Sequence, residues 1–575
     1  MIGYRMQIAD AHAHLVEVEV EAEPTGATTR FALPAWSPGS YLVRDYARHV
    51  RAVQADAPVR KLDKQTWSVD SEGAGSVRLR YQVYAHELTV RTSHVDGRHA
   101  FLHGPSLLMY VPERLREPAQ LELSAPAGWQ VLTALPGDGR LFHADDYDHL
   151  IDAPIELSPA LVRVGFDAAE RPHEIAICGL GDGPIDGPGL ARDVSAIVGC
   201  AADLFGGLPY ERYLFLLHLA PAPQPGGLEH RNSAALLAAP GSFRPRKKYE
   251  ELLELFAHEH FHAWNVKRIR PAALGPFDYT RESYTRALWV MEGVTSYYDR
   301  HLLVRAGLLP AQRYLDKLGE ELARLRQIPG RLVQSLEEAS FDAWIKFYKP
   351  DEATPNSTVS YYLKGGLTAV ALDLTVRSAS GGTRSLDDGM RLLWQRYGRA
   401  ARGFDDDDVQ ALLEEATGVA LGSFFDAYVR GRTELDLERV LATAGLKVEP
   451  PAPSEPAEPE AGYLGVQTRE IGSGRSQVAV TLAAGPAERA GLYPGDELVA
   501  LDGLRVDERT LRDRLATRRP GERVRLHLLR RDELVELEVE LGRRPPDALT
   551  VKPDPAAPAP ARALYQAWLG APFPT

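Results

Sequence analysis

The hydrophobic period of this chain changes along its length, and those changes limit what it can fold into. Up to about residue 165 apolar positions alternate: "AHLVEVEVEAE" and "SVRLRYQVYAHELTVRT" place every second side chain on one face, the pattern of half-buried strands. From 166 to 447 the period becomes helical in "YEELLELFAHEHFHAWNV", "SYTRALWVMEGVTSYYDRHLLVRAG" and "QRYLDKLGEELARLRQ", after two short strands, "EIAICGL" and "RYLFLLHL". At 448–462, "VEPPAPSEPAEPEAG", Pro and Glu exclude both helix and packed core and predict an extended linker. With 575 residues the chain exceeds what one core organises. It reads as a multidomain α+β protein: an antiparallel all-β domain over 1–165, a mainly helical domain over 166–447, the linker, a compact module over 463–542, and a Pro-rich tether with a short apolar helix over 543–575.

Composition narrows the function classes. A net charge of -13 argues against a nucleic-acid partner, which calls for a basic surface to meet phosphate. Cys178 and Cys200 are the only cysteines, so no disulfide framework holds the fold and a reducing compartment is expected. The first residues show no basic start followed by an apolar run, and no window approaches a membrane span, so a cytoplasmic location is expected.

Chemistry is concentrated in "LFAHEHFHAWNVKRIRP", residues 255–271. On a helix, His258 and His262 lie one turn apart on one face, the spacing at which two imidazoles reach one tetrahedral cation. Glu259 beside them is placed to take a proton from water activated by that cation. His260 points elsewhere and is not expected to be a ligand. The run before the motif contains neither Gly nor Pro, so the motif is expected inside a helix.

A catalytic zinc site needs a third protein ligand and an open position. Glu282 and Glu292 compete. Glu282 follows His262 after nineteen residues, 263–281, but falls in "YTRESYTR", where a helix start and its dipole account for a carboxylate. Glu292 follows after twenty-nine, 263–291, in the apolar "ALWVMEGVTSYYD", where a buried charge requires a cation. Glu292 is the expected ligand. His12 and His14 alternate on one strand face with no carboxylate or thiol beside them, and are read as sheet surface.

Together, "HEHFHAWNVKRIRP", "LWVMEGVTSYYD", the N-terminal "LPAWSPGSYLVRDYARHV" and the C-terminal "YLGVQTREIGSGRSQVAVTLAAGPAERAGLYPGDELVALDGLRV" resemble the PDZ-containing glycyl aminopeptidases, thermolysin-like gluzincins among the zinc metallopeptidases. The resemblance runs through nearly the whole chain. It implies a thermolysin-like central domain, one catalytic zinc ion held by His258, His262 and Glu292, and Glu259 as general base. It also implies a PDZ domain over 463–542 whose "YLGV" loop takes a peptide carboxylate while the peptide adds as a strand. "GGLEHRNS" is similar to the aminopeptidase motif whose glutamate binds the substrate's free amine, a role that falls to Glu229, although Leu228 and His230 replace the motif's Met and Asn. "SYYLKGGL" resembles the segment whose tyrosine holds the oxyanion, a role that falls to Tyr362, with Tyr361 as the other candidate. The implied activity is release of N-terminal Gly or Ala from peptide or protein substrates. The alternatives are a zinc endopeptidase recruiting substrates through its PDZ groove and a non-catalytic PDZ adaptor with a structural metal.

Overall fold

The computed structural model describes residues 1–179, 183, 185–221, 225–451, 460–472 and 474–574. The chain forms two compact units, one of Met1–Thr285, Thr295–Leu309 and Asp387–Leu412, the other of Arg286–Val294, Pro310–Leu386 and Leu413–Thr575.

The first unit opens with the expected β domain. Strands Ile2–Asp10, Leu15–Ala22 and Val77–Tyr84 lie side by side and antiparallel in a six-stranded sheet. In Leu15–Ala22, Val16, Val18 and Val20 are fully buried, whereas Glu19 on the other face pairs with Arg5 and Arg80. The period-two pattern is thus one apolar face on a core and one charged face in water. His12 and His14 depart from expectation: they lie in the turn 11–14 that joins two strands, so they share no strand face. Two smaller sheets, one ordered Gln130–Thr133, Ile155–Ser158, Ala100–Leu102 and His94–Val95 and one ordered Thr28–Ala32, Thr66–Asp70 and Val59–Lys61, complete the domain.

Behind it stands a five-stranded sheet ordered Val162–Ala168, Arg171–Gly179, Tyr213–Leu219, Ser233–Ala238 and Gly226–Glu229. The three middle strands are parallel, with helix Gly187–Phe205 in the connection between Arg171–Gly179 and Tyr213–Leu219. Only two of these strands are readable in the sequence. Ser233–Ala238 is buried at every position and carries no alternation, so it shows no strand period. Helix Arg246–Phe261 packs on this sheet through Phe256 and Phe215, rings 5.1 Å apart. Helix Val294–Arg305 packs against it in turn, with Phe261 stacked on Tyr298 at 4.7 Å and Arg300 paired with Glu254.

The second unit is built on helices Ala311–Arg326 and Leu363–Ala379. Its C-terminal module is a sheet ordered Val466–Ile471, Arg475–Thr481, Glu497–Leu501, Arg523–Arg530 and Glu533–Glu540, with helices Pro486–Ala490 and Glu508–Ala516 and a core of its own around Val478, Leu498 and Leu526. The linker expected at 448–462 has its central part, 452–459, outside the described residues, and its first residues belong to strand Leu446–Glu449, which pairs with Thr550–Pro553. The tether is therefore partly sheet. Among the described residues no helix is long and apolar enough to cross a membrane.

Candidate metal centre

Helix Arg246–Phe261 starts after Pro245, which holds the N-cap with extended backbone, and the His/Glu motif occupies its last turn. His262 is the C-cap residue, its N–H donating to the His258 carbonyl at 3.3 Å. The motif thus closes the helix instead of lying within it, which puts the negative end of the helix dipole beside any bound cation. The His258 and His262 rings stand 4.8 Å apart and nearly perpendicular.

Each ring is held through Nδ1. His262 donates to the Asn265 carbonyl at 2.7 Å, and His258 faces Asp299 Oδ2 at 3.2 Å. These bonds fix the Nδ1–H tautomer and make Nε2 the lone-pair nitrogen of both rings. Asn265 donates from Nδ2 to Thr295 on helix Val294–Arg305, the helix that carries Asp299. One helix therefore orients both imidazoles. His260 is bonded to the Tyr210 hydroxyl in the core.

Glu259 is buried, and a Cβ on Gly227 would lie 2.2 Å from its carboxylate carbon, so only glycine lets the edge strand Gly226–Glu229 pass this close. At the end of that strand Glu229 is 3% exposed, with Oε1 lacking a hydrogen-bond partner among the described residues. Leu228 points the other way, into an apolar cluster with Leu214 and Ala235. His230 turns to Asp152 at 3.1 Å, and Lys267 binds the same carboxylate at 2.7 Å. Burial opposes ionisation of Asp152, but Lys267 and His230 outweigh it and hold the carboxyl well below its ordinary range.

Glu229 faces a pocket of about 580 Å³ whose lining includes Trp36, Gly39, Tyr41 and Trp394. Gly39 has φ +83°, and a Cβ there would lie 2.6 Å from Glu229 Oε1. The turn "WSPGSY" thus roofs a carboxylate that the sequence does not connect to it. One ligand atom each from Glu229, Glu259 and His262 lies within 4.8 Å of the others. Two buried carboxylates at such range repel unless a cation stands by them, and the paired imidazoles of His258 and His262 beside them are donors that fit zinc.

In the second unit, Glu292 lies in the π-helical turn Trp289–Gly293 and is 2% exposed. Insertions of this kind recur at functional sites because they turn one side chain out of helical register. The Trp289 N–H in this turn donates to the Ser340 hydroxyl at 3.0 Å. Tyr362 stands at the N-cap of Leu363–Ala379, and burial, then the Glu292 charge, push its hydroxyl well above the usual range. Tyr348 links the two candidate tyrosines, 3.3 Å from the Tyr362 hydroxyl and 3.2 Å from that of Tyr361. Tyr361 is fully buried and Tyr362 half-buried. Glu282 lies outside any helix, in an irregular, half-buried stretch of the first unit, so the helix start expected for it is absent.

The structure therefore gathers His258, Glu259, His262 and Glu229 in one unit, and Glu292 with Tyr362 in the other. Asp299, Asn265, Gly227 and Gly39 escaped the sequence reading. Asp299 alone left a signal, as the acidic residue two turns beyond Glu292.

Residues 3–159 match the peptidase M61 N-terminal domain, 251–368 the M61 glycyl aminopeptidase and 462–541 a PDZ domain. An aminopeptidase N family protein from Idiomarina loihiensis is similar over 99% of this chain and 100% of its own, at 32% identity and a TM-score of 0.91. The chain belongs to the M61 glycyl aminopeptidase family. It is a zinc metallopeptidase with a C-terminal PDZ domain, which removes the reading as a non-catalytic adaptor. An M1 zinc metallopeptidase from Deinococcus radiodurans is also similar, over 76% of this chain and 94% of its own, at 16% identity and a TM-score of 0.48. None of the curated proteins matches.

Proposed function

We propose that this M61 peptidase is an aminopeptidase that releases small N-terminal residues, Gly or Ala, using one catalytic zinc ion held by His258, His262 and Glu292. The observation that carries the reading is Glu229: a buried carboxylate at the end of an edge strand, grouped with Glu259 and His262 and facing a pocket of about 580 Å³. Burying a carboxylate with an unmet oxygen is costly, and a substrate ammonium meets that need. Anchoring the amine there places the first peptide bond at the Glu259 carboxylate. Bound zinc supplies Lewis-acid polarisation of the scissile carbonyl and lowers the pKa of water toward about 7.

The chain's own residues do the rest. Glu259 takes the proton of the attacking water and hands it to the departing amine. Asp299 and Asn265 hold the two imidazoles in the tautomer that leaves Nε2 as donor. Tyr362 donates its hydroxyl to the developing oxyanion. Its raised pKa keeps it protonated for that task, and its half-buried position, against the sealed Tyr361, favours it. The PDZ domain binds an extended peptide at the outer edge of Val466–Ile471, which pairs on one side only among the described residues.

The test is substrate discrimination. Wild-type enzyme should cleave glycyl and alanyl anilides and ignore N-acetylated peptides, and Glu229→Gln should raise KM for free-amine substrates without releasing zinc. Equal cleavage of free and acetylated peptides would replace this reading with the endopeptidase.

A further inference from the structure

Outside the peptidase site, the first unit holds a second group of metal-ligating side chains. Glu156 lies on strand Ile155–Ser158, His99 immediately before the neighbouring strand Ala100–Leu102, and His218 on Tyr213–Leu219 of the five-stranded sheet. Each offers a ligand atom within 4.8 Å of the others. Glu156 is 1% and His218 3% exposed. His218 Nε2 and Glu156 Oε2 are 2.8 Å apart.

Two atoms in this group are left over. Glu156 Oε1 and His99 Nε2 are buried and make no hydrogen bond, and no Lys or Arg pairs with Glu156 among the described residues. This deep carboxylate meets the His218 ring and the Cys178 thiol but no cation side chain, and its second oxygen and the nearby His99 Nε2 both lack hydrogen-bond partners, so buried polar capacity is left unmet. On the far side of the His99 ring, a carboxylate borders Nδ1, with Asp96 Oδ1 at 3.8 Å, while Nε2 is buried without a hydrogen bond. Two imidazoles and a carboxylate suit a borderline cation of the zinc type and not Ca²⁺ or Mg²⁺, which take oxygen ligands.

We propose that His99, Glu156 and His218 form a second, structural site for a zinc-type divalent cation, which fastens the β-domain sheet that carries Glu156 to the five-stranded sheet that carries the peptidase residues. When the cation enters, it replaces the hydrogen bond between His218 and Glu156, and the His218 ring then keeps its proton on Nδ1. The site lies on strand faces away from Glu229 and the motif helix, so it adds to the catalytic ion and does not substitute for it.

Metal counting on full-length protein separates the two sites. The His258→Gln/His262→Gln variant, equilibrated with Zn²⁺ and desalted, should retain one zinc per chain by elemental analysis, and wild type one more. Adding His99→Gln, in the 96–99 connection between two strands, or His218→Gln should bring the double variant to background. Chelator should lower the melting temperature of the double variant, and that shift should vanish with His99→Gln. Zinc at background in the double variant, or zinc unaffected by both His99→Gln and His218→Gln, overturns the proposal and leaves the aminopeptidase reading untouched.

Discussion

At the scale of single residues, the site is a problem of charge held in small space. Glu259→Gln keeps the shape of the side chain and removes its basicity, so metal content should stay at the wild-type level while turnover of a glycyl anilide falls about 10²–10⁴-fold. Full activity with zinc in place would remove Glu259 from the chemistry. Gly39 provides a sharper test because it touches no substrate atom by necessity. Its left-handed backbone costs an alanine about 1–2 kcal/mol, and the added methyl also meets the Glu229 carboxylate. Gly39→Ala should therefore lose discrimination for the free amine at temperatures where circular dichroism still reports a folded chain. What was legible at this scale follows from spacing. His258, Glu259 and His262 stand close in sequence, so helix geometry alone groups them. The partners Asn265 and Asp299 act through ring orientation, which depends on packing of one helix on another, and Gly39 meets Glu229 only through the tertiary fold.

At the scale of elements, the informative feature is a helix that breaks its own period. The apolar run around Glu292 reads as one continuous helix, yet the structure inserts a π turn at Trp289–Gly293 before Val294–Arg305 begins. Hydrophobic spacing does not reveal the turn, because every residue of "WVMEG" is buried and no face stands out. Ser340, fully buried, binds an amide of this turn, so Ser340→Ala leaves a buried N–H without its partner at a cost of about 1–3 kcal/mol. We expect a lower melting temperature and, through displaced Glu292, weaker zinc retention against a chelator. Loss of stability with unchanged metal affinity would separate the turn from the site. Helix Leu363–Ala379 carries Lys364, whose pKa burial lowers to about 8. An unfolded lysine titrates near 10.4, so between these values the unfolded chain binds a proton that the folded chain lacks, and stability rises with pH across that window. Below pH 8 both states are charged and the folded state bears the full burial cost. Lys364→Met should accordingly be more stable than wild type at pH 7, by up to about 3 kcal/mol, with the gap closing as pH approaches 10 in thermal melts.

At the scale of the whole molecule, the order of segments along the chain differs from their order of dependence. Composition divides residues 448–575 into linker, module and tether, since Pro-rich stretches show no period from which a partner could be read. In the structure the tail returns to the helices: Leu446–Glu449 pairs with Thr550–Pro553, Arg377 binds the Ala567 carbonyl at 3.0 Å, and Trp568 packs edge-on against Tyr314 at 5.6 Å. The PDZ domain is thus an insertion between two strands that are register partners, Glu449 opposite Thr550. Its ties to the helical part of its unit include Asn356, which accepts from the Ala483 amide and donates to the Thr481 carbonyl, both at 2.8 Å. Replacing 450–549 by an Asn-Gly hairpin turn should therefore leave a folded, zinc-binding chain that still hydrolyses a glycyl anilide. Ending the chain at 545 keeps the PDZ domain yet strips the helical part of its closing strand and of Ala559–Leu569, whose Tyr565 and Trp568 are buried. Truncating Trp568 alone to Ala should cost about 3–5 kcal/mol, and the shortened chain should unfold or aggregate where the PDZ-free chain does not. Thermal melts and anilide hydrolysis on the two deletions decide it, and a stable, active chain ending at 545 would show that the tail is dispensable.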